Sequence, residues 1–111
     1  MITWSIVLFT VAALLGLFVL YKVLRGHSIP RPAVLSHGFF ALLAFILLLI
    51  FAVNNPDRGP WISFGFFAVI VAAGVYMFAQ DMAKRKIPKW IALIHASLAV
   101  IAIFLLIAFA I

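Results

Sequence analysis

The two residues of this chain with the clearest capacity for chemistry are His37 and His95. Each stands inside a long apolar segment, and the two are 58 positions apart. A neutral imidazole can bind a metal, form a hydrogen bond or relay a proton. A histidine within an apolar, membrane-spanning segment is costly, so it marks a functional site by default. We interpret the two histidines as equivalent residues that bind one ligand between them.

The histidines correspond because the sequence contains an internal repeat. A shift of 58 positions places residues 1–53 on residues 59–111 without a gap and leaves residues 54–58 as a linker. The positions that carry the same residue in both copies are three, four or seven residues apart within a helix, which is the spacing of one helix face. We expect that face to point into the protein. The retained pairs include Ser5/Ser63, Phe9/Phe67, Gly16/Gly74, Pro30/Pro88, His37/His95, Ala41/Ala99, Ala44/Ala102 and Leu48/Leu106.

The composition indicates a membrane protein. Of the 111 residues, 69% are hydrophobic and only 9% are charged, which is far from the usage of soluble domains. Four apolar runs at 3–21, 33–53, 61–80 and 90–111 are each long enough to cross a bilayer as a helix. There is no cysteine, so disulfides and thiolate metal sites are excluded.

These elements predict an all-α membrane protein with a single transmembrane domain over residues 1–111. Each repeat is a helical hairpin, and two hairpins joined by a short linker favour an up-down-up-down four-helix bundle. Since each copy has two helices, both insert the same way round. The copies are then related by a pseudo-two-fold axis along the membrane normal. In such a bundle helices 2 and 4 are diagonal neighbours.

The basic residues predict the orientation. The net charge is +6, and seven of the eight Lys and Arg residues lie in the junctions after runs 1 and 3. By the positive-inside rule these junctions are cytoplasmic, and the termini and the loop at 54–60 are outside. This pattern suits the cytoplasmic membrane of a bacterium or archaeon. It also explains the positive charge as a topology signal and contact with membrane lipid, and not as a nucleic-acid interface.

Depth in the helices brings the histidines into a common layer with small residues. Counting from the basic ends at 1.5 Å per residue, the histidines and two glycines lie roughly 9 Å inside the boundary. Two alanines follow one turn deeper, and two basic residues mark the rim. The predicted site consists of His37, His95, Gly16, Gly74, Ala41, Ala99, Arg31 and Lys89.

This layer has the chemistry to bind a haem. Two imidazoles on diagonal helices can bind the iron from both faces, while glycine and alanine leave room for the macrocycle. Arg31 and Lys89 would pair with the propionates. A haem with two histidine ligands carries electrons and has no open position for oxygen. We expect the other ring nitrogen of each histidine to bond a backbone carbonyl one turn back, near Ala33 and Ile91.

The arrangement resembles the membrane b-type cytochromes, including the cytochrome b561 type and the cytochrome b anchors of quinone-linked dehydrogenases. The resemblance covers the four-helix architecture, but only His37, His95, Gly16 and Gly74 as motif residues. Two-haem members have four membrane histidines; this chain has two, which implies one haem b per chain. The resemblance further implies electron exchange with quinone, with a redox protein or within a larger membrane complex. Any turnover would be redox.

Other functions stay open at this point. The histidines could bond structurally across helices, or serve proton or quinone chemistry, and the chain could be a cofactor-free accessory or assembly subunit of a membrane complex. A drug-proton exporter is disfavoured because Asp57 and Asp81 lie outside the apolar runs and there is no Glu. A bare zinc or copper ion is disfavoured because two ligands are too few. No constellation for acid–base or nucleophilic catalysis is present.

Overall fold

The computed structural model describes residues 1–111 and contains four long α-helices and no β-strand. All four helices are long and apolar enough to cross a membrane. Each predicted apolar run is confirmed as a helix, although most of the helices continue into the polar flanks. Their bounds are Ile2–Leu24 for α1, Arg31–Asn54 for α2, Trp61–Met82 for α3 and Lys89–Ala110 for α4.

The helices are arranged in chain order around the bundle. α1 packs against α2 and α4, and α3 packs against the same two helices. Across the diagonals, α1 with α3 and α2 with α4, no Cα atoms come within 8 Å. The two helices that carry the histidines therefore face each other across the bundle axis, as predicted.

The two loops at the basic end have the same backbone form. α2 and α4 each start after a proline, Pro30 and Pro88, whose fixed φ suits a helix start and which needs no amide partner there. The loop after α1 contains Gly26 with φ +69°, and the loop after α3 contains Lys84 with φ +58°. These two residues are 58 positions apart and so occupy equivalent turns. The positive φ suits glycine in the first copy, whereas it strains the backbone of the lysine in the second.

The core lies in the half of the bundle away from these loops. Its centre is the face-to-face stack of Phe9 and Phe67, with ring centroids 3.8 Å apart and planes 6° from parallel. The buried positions occur mainly in pairs separated by 58 residues: Ser5/Ser63, Phe9/Phe67, Ala12/Ile70, Ala44/Ala102 and Leu48/Leu106. The helix faces predicted to point inward are buried at these positions.

The outer surface of the bundle is apolar. Only 13 of the 111 residues are buried, and large side chains such as Trp4, Ile62 and Phe104 are about two-thirds exposed or more. A soluble monomer rarely exposes so much contiguous apolar surface. The structure is thus compatible with a multi-pass membrane protein.

Truncation of a buried leucine in either copy should lower the stability of the protein. Leu48 and Leu106 are fully buried, whereas Leu49 is 38% exposed on the outer surface. Leu48→Ala and Leu106→Ala remove packing contacts and should each destabilise the protein by about 2 kcal/mol or more. Leu49→Ala is the matched control. Thermal unfolding followed by tryptophan fluorescence in detergent measures the three variants, and an equal loss in Leu49→Ala would contradict this core.

Candidate functional site

His37 on α2 and His95 on α4 approach each other across the bundle axis. Their ring centroids are 6.3 Å apart, and the ring planes make an angle of 77°. Both residues are partly buried. The diagonal packing of the helices has therefore brought together the two side chains that the sequence predicts in one layer.

An apolar cavity of about 560 Å³ surrounds the histidines and is lined by all four helices. It extends from the Phe9–Phe67 stack to Ile29 and Ile87 at the basic loops. The volume is in the range of small-molecule and cofactor sites, which is about 300–1,000 Å³. Six predicted site residues line the cavity: His37, His95, Gly16, Gly74, Ala41 and Ala99.

The charged residues at the mouth differ from those predicted. Arg31 and Lys89 are exposed and do not line the cavity. The Arg31 guanidinium instead lies 3.7 Å from the sulfur of Met82, at the end of α3. The charged residue that does line the cavity is Asp81. Sequence reasoning missed it, although Asp81 is seven residues after Gly74 and so lies on the same face of α3.

His37 is anchored to α1. Its Nδ1 donates a hydrogen bond to the backbone carbonyl of Ala12, at 2.7 Å. A carbonyl oxygen can only accept, so the proton is on Nδ1 and, in the neutral ring, Nε2 keeps its lone pair. The predicted partner near Ala33, in the same helix, is wrong. The carbonyl comes from the neighbouring helix because Gly16, one turn after Ala12, has no side chain to cover that oxygen.

The glycines pack directly against the imidazoles. A Cβ on Gly16 would lie 2.8 Å from Cε1 of His37 and 3.2 Å from its Nδ1. A Cβ on Gly74 would lie 3.4 Å from Cε1 of His95. Each glycine lets its own hairpin's histidine come close to the partner helix. The space beside these glycines is occupied by the imidazole rings.

His95 has no equivalent anchor. Its Nδ1 is buried and has no hydrogen-bond partner. The corresponding backbone position, Ile70, faces the ring without completing a bond of ordinary geometry. The predicted partner near Ile91 is not found either. A buried polar atom without a partner costs about 1–3 kcal/mol, so such atoms are uncommon and often mark a functional site.

The chain contains no group of three or more His, Cys, Asp or Glu side chains placed to hold a metal ion. Structural zinc sites use four such ligands and catalytic ones use three. The two imidazoles by themselves are fewer than either of these numbers.

Comparison of the chain with known protein families, with curated proteins and with solved structures finds no match in any of the three. The assignment of a function therefore depends on the geometry of this site. The site is defined by the spacing of the imidazoles, the hydrogen bond to Ala12, the unpartnered Nδ1 of His95 and the apolar cavity around them.

The two glycines should respond differently to a methyl group. Alanine in place of glycine favours a helix by about 1 kcal/mol. At Gly74 the added Cβ would meet an ordinary contact at 3.4 Å, whereas at Gly16 it would overlap a ring held in place by a hydrogen bond. Gly74→Ala should be neutral or stabilising, and Gly16→Ala should be about 2 kcal/mol less stable than Gly74→Ala.

Thermal unfolding of both variants in the same detergent, without added cofactor, measures this difference. Equal stability of the two variants would show that His37 does not hold its ring against Gly16.

Proposed function

We propose that this protein is a membrane b-type cytochrome that binds one haem b between His37 and His95 and carries electrons. The spacing of the imidazoles is the observation that carries the proposal. An imidazole nitrogen binds a first-row metal at about 2 Å and the ring centre is about 1.2 Å further, so two imidazoles on opposite faces of one iron have centroids about 6.4 Å apart. The observed separation is 6.3 Å.

The Ala12 hydrogen bond supports the same proposal. A metal-binding histidine almost always donates its other ring N–H to a carbonyl or carboxylate, which fixes the tautomer and the orientation of the ring. His37 has this bond through Nδ1, so its Nε2 is the nitrogen available for iron. His95 would bind the opposite face.

The cavity supplies the apolar surroundings that a macrocycle needs. Ala41 and Ala99 line it beside the histidines, together with apolar side chains from all four helices. When bound, haem supplies a one-electron change between ferric and ferrous iron. His37 and His95 would hold this group, and the apolar side chains that line the cavity would surround it.

The charges at the mouth limit where the propionates lie. We propose Arg31 and Lys89 as their partners, since both start their helices at this end and have side chains long enough to reach the cavity edge. Asp81 has the same sign as a propionate and disfavours one beside it. The propionates would therefore lie beside Arg31 and Lys89 and not beside Asp81.

The bundle would span the cytoplasmic membrane of a bacterium or archaeon, with the two basic loops inside. Its apolar outer surface, the concentration of Lys and Arg at one end and the matching loop backbones at Gly26 and Lys84 support this placement and a pseudo-two-fold axis along the membrane normal. Electrons would pass to or from quinone or a redox protein of a larger membrane complex.

A second candidate is a cofactor-free accessory or assembly subunit of a membrane complex. The same bond between His37 and Ala12 favours it, because that bond satisfies Nδ1 without any ligand. In this case the histidines join neighbouring helices, and the exposed apolar side chains contact other subunits.

Absorption spectra decide between the two candidates. Protein purified in detergent after expression with a haem supply should contain one haem per chain, with the narrow Soret and α bands of low-spin iron after reduction. His37→Ala and His95→Ala should both lose the low-spin bands, because each removes an axial ligand. His27→Ala is the control, since His27 is exposed in the loop after α1.

A colourless wild-type protein without stoichiometric iron would overturn the haem proposal and leave the accessory subunit. Loss of the bands in His27→Ala alone would place the haem elsewhere.

The orientation can be tested on a background without native cysteine. Ser28 lies in the first basic loop and Asp57 in the linker between the copies, and both are exposed. A membrane-impermeant maleimide added to intact bacterial cells should label Asp57→Cys but not Ser28→Cys. Both should react after the cells are lysed, and the reverse pattern in intact cells would contradict the orientation.

A further inference from the structure

The two histidines occupy equivalent positions in the repeat, yet the structure holds them differently. Nδ1 of His37 is bonded to the Ala12 carbonyl at 2.7 Å, whereas Nδ1 of His95 has no partner. One ring is therefore fixed in its tautomer and direction by a neighbouring helix. The other ring faces the equivalent backbone position, Ile70, without a hydrogen bond of ordinary geometry, so it is held less firmly.

The packing against the glycines differs in the same direction. The position of a Cβ on Gly16 is within 4 Å of three ring atoms of His37, at 2.8, 3.2 and 3.6 Å. The corresponding position on Gly74 has one ring atom of His95 within 4 Å, at 3.4 Å. The ring of His37 therefore packs closely against α1, and the ring of His95 packs less closely against α3.

A sequence difference at the anchoring position accompanies both observations. The residue whose carbonyl bonds His37 is Ala12, and its counterpart in the second copy is Ile70. Ile70 is larger and β-branched and belongs to the buried core cluster. The anchor has a small side chain in one copy and a large one in the other.

We infer that the two imidazoles are unequal ligands: His37 is the fixed one, and His95 is the one that leaves the iron when a small neutral ligand such as carbon monoxide binds. For the loaded protein this inference rests on the haem proposal. In this exchange carbon monoxide would take the place of the His95 nitrogen. Both ligands are neutral, and no electron is transferred.

The cost of removing each ligand follows from this difference. The fixed ring keeps its orientation without haem, so His37 alone should retain the cofactor. Loss of the hydrogen-bonding partner of a metal-binding histidine typically weakens metal binding by about 10–100-fold, so a ligand that has such a partner contributes more than one that lacks it. His95→Ala should therefore bind haem with at least about tenfold higher affinity than His37→Ala.

Haem titration of the two purified variants, followed by dithionite reduction and carbon monoxide, is the first experiment. His95→Ala should retain haem and bind carbon monoxide at once, whereas wild type should bind it more slowly as His95 is displaced. Equal affinities in the two variants, or a tighter His37→Ala, would overturn the inference even though haem binds.

A second measurement does not need haem. Nitrogen NMR of protein with ¹⁵N-labelled histidine, in detergent and without cofactor, reports the tautomer and the N–H exchange of each ring. His37 should be a single Nδ1–H tautomer in slow exchange with water, and His95 a mixture of tautomers. Resonances are assigned with His37→Ala and His95→Ala, and the exposed His27 gives the solvent reference.

If wild type binds no haem but the rings differ in this way, the haem proposal fails and the inequality of the histidines stands. If both rings show one tautomer and equal exchange, the inequality is wrong whatever the haem titration shows.

Discussion

The close approach of α1 to α2 is the constraint on which the rest of the site depends. Gly16 has no side chain, so the ring of His37 lies against α1 and reaches the carbonyl of Ala12. In a bilayer the hydrophobic effect does not hold helices together. Close packing contacts and interhelical hydrogen bonds stabilise the association of the helices instead. One interaction therefore joins two helices and also sets the direction of the imidazole that faces the bundle axis.

The Phe9–Phe67 stack divides the bundle into a closed half and an open half. On one side of the stack, small and branched side chains fill the space between the helices and are fully buried. On the other side, the cavity begins, and the histidines stand in it. The closed half supplies the rigidity that a preorganised ligand site needs, while the open half supplies the volume.

Much of this arrangement follows from the sequence, because its strongest signals are periodic. The apolar runs predict the four helices, and the repeat of 58 residues predicts that α2 and α4 are diagonal and that His37 and His95 share a layer. The predicted hydrogen-bond partners of both histidines are wrong, since whether a helix exposes a carbonyl depends on which neighbour touches it. Asp81 was missed for a related reason: its position after the apolar run suggests solvent, and only the packed bundle brings it to the cavity. The different hydrogen bonding of the two histidines cannot be predicted from the repeat, because they occupy equivalent positions in it.

The linker at 54–60 has a consequence beyond connecting two hairpins. Every helix contacts one helix of its own hairpin and one of the other, so two separate copies of a single hairpin could build the same ring of four helices. Such a dimer must treat both of its histidines alike, and it must assemble from two chains. Covalent fusion replaces that encounter by an effective concentration in the millimolar range. It also frees the two copies to diverge, and the pairs Ala12/Ile70 and Gly26/Lys84 are where that freedom has been used. Two histidines held in unequal ways are something that a single chain with two hairpins can encode and a symmetric dimer of one hairpin cannot.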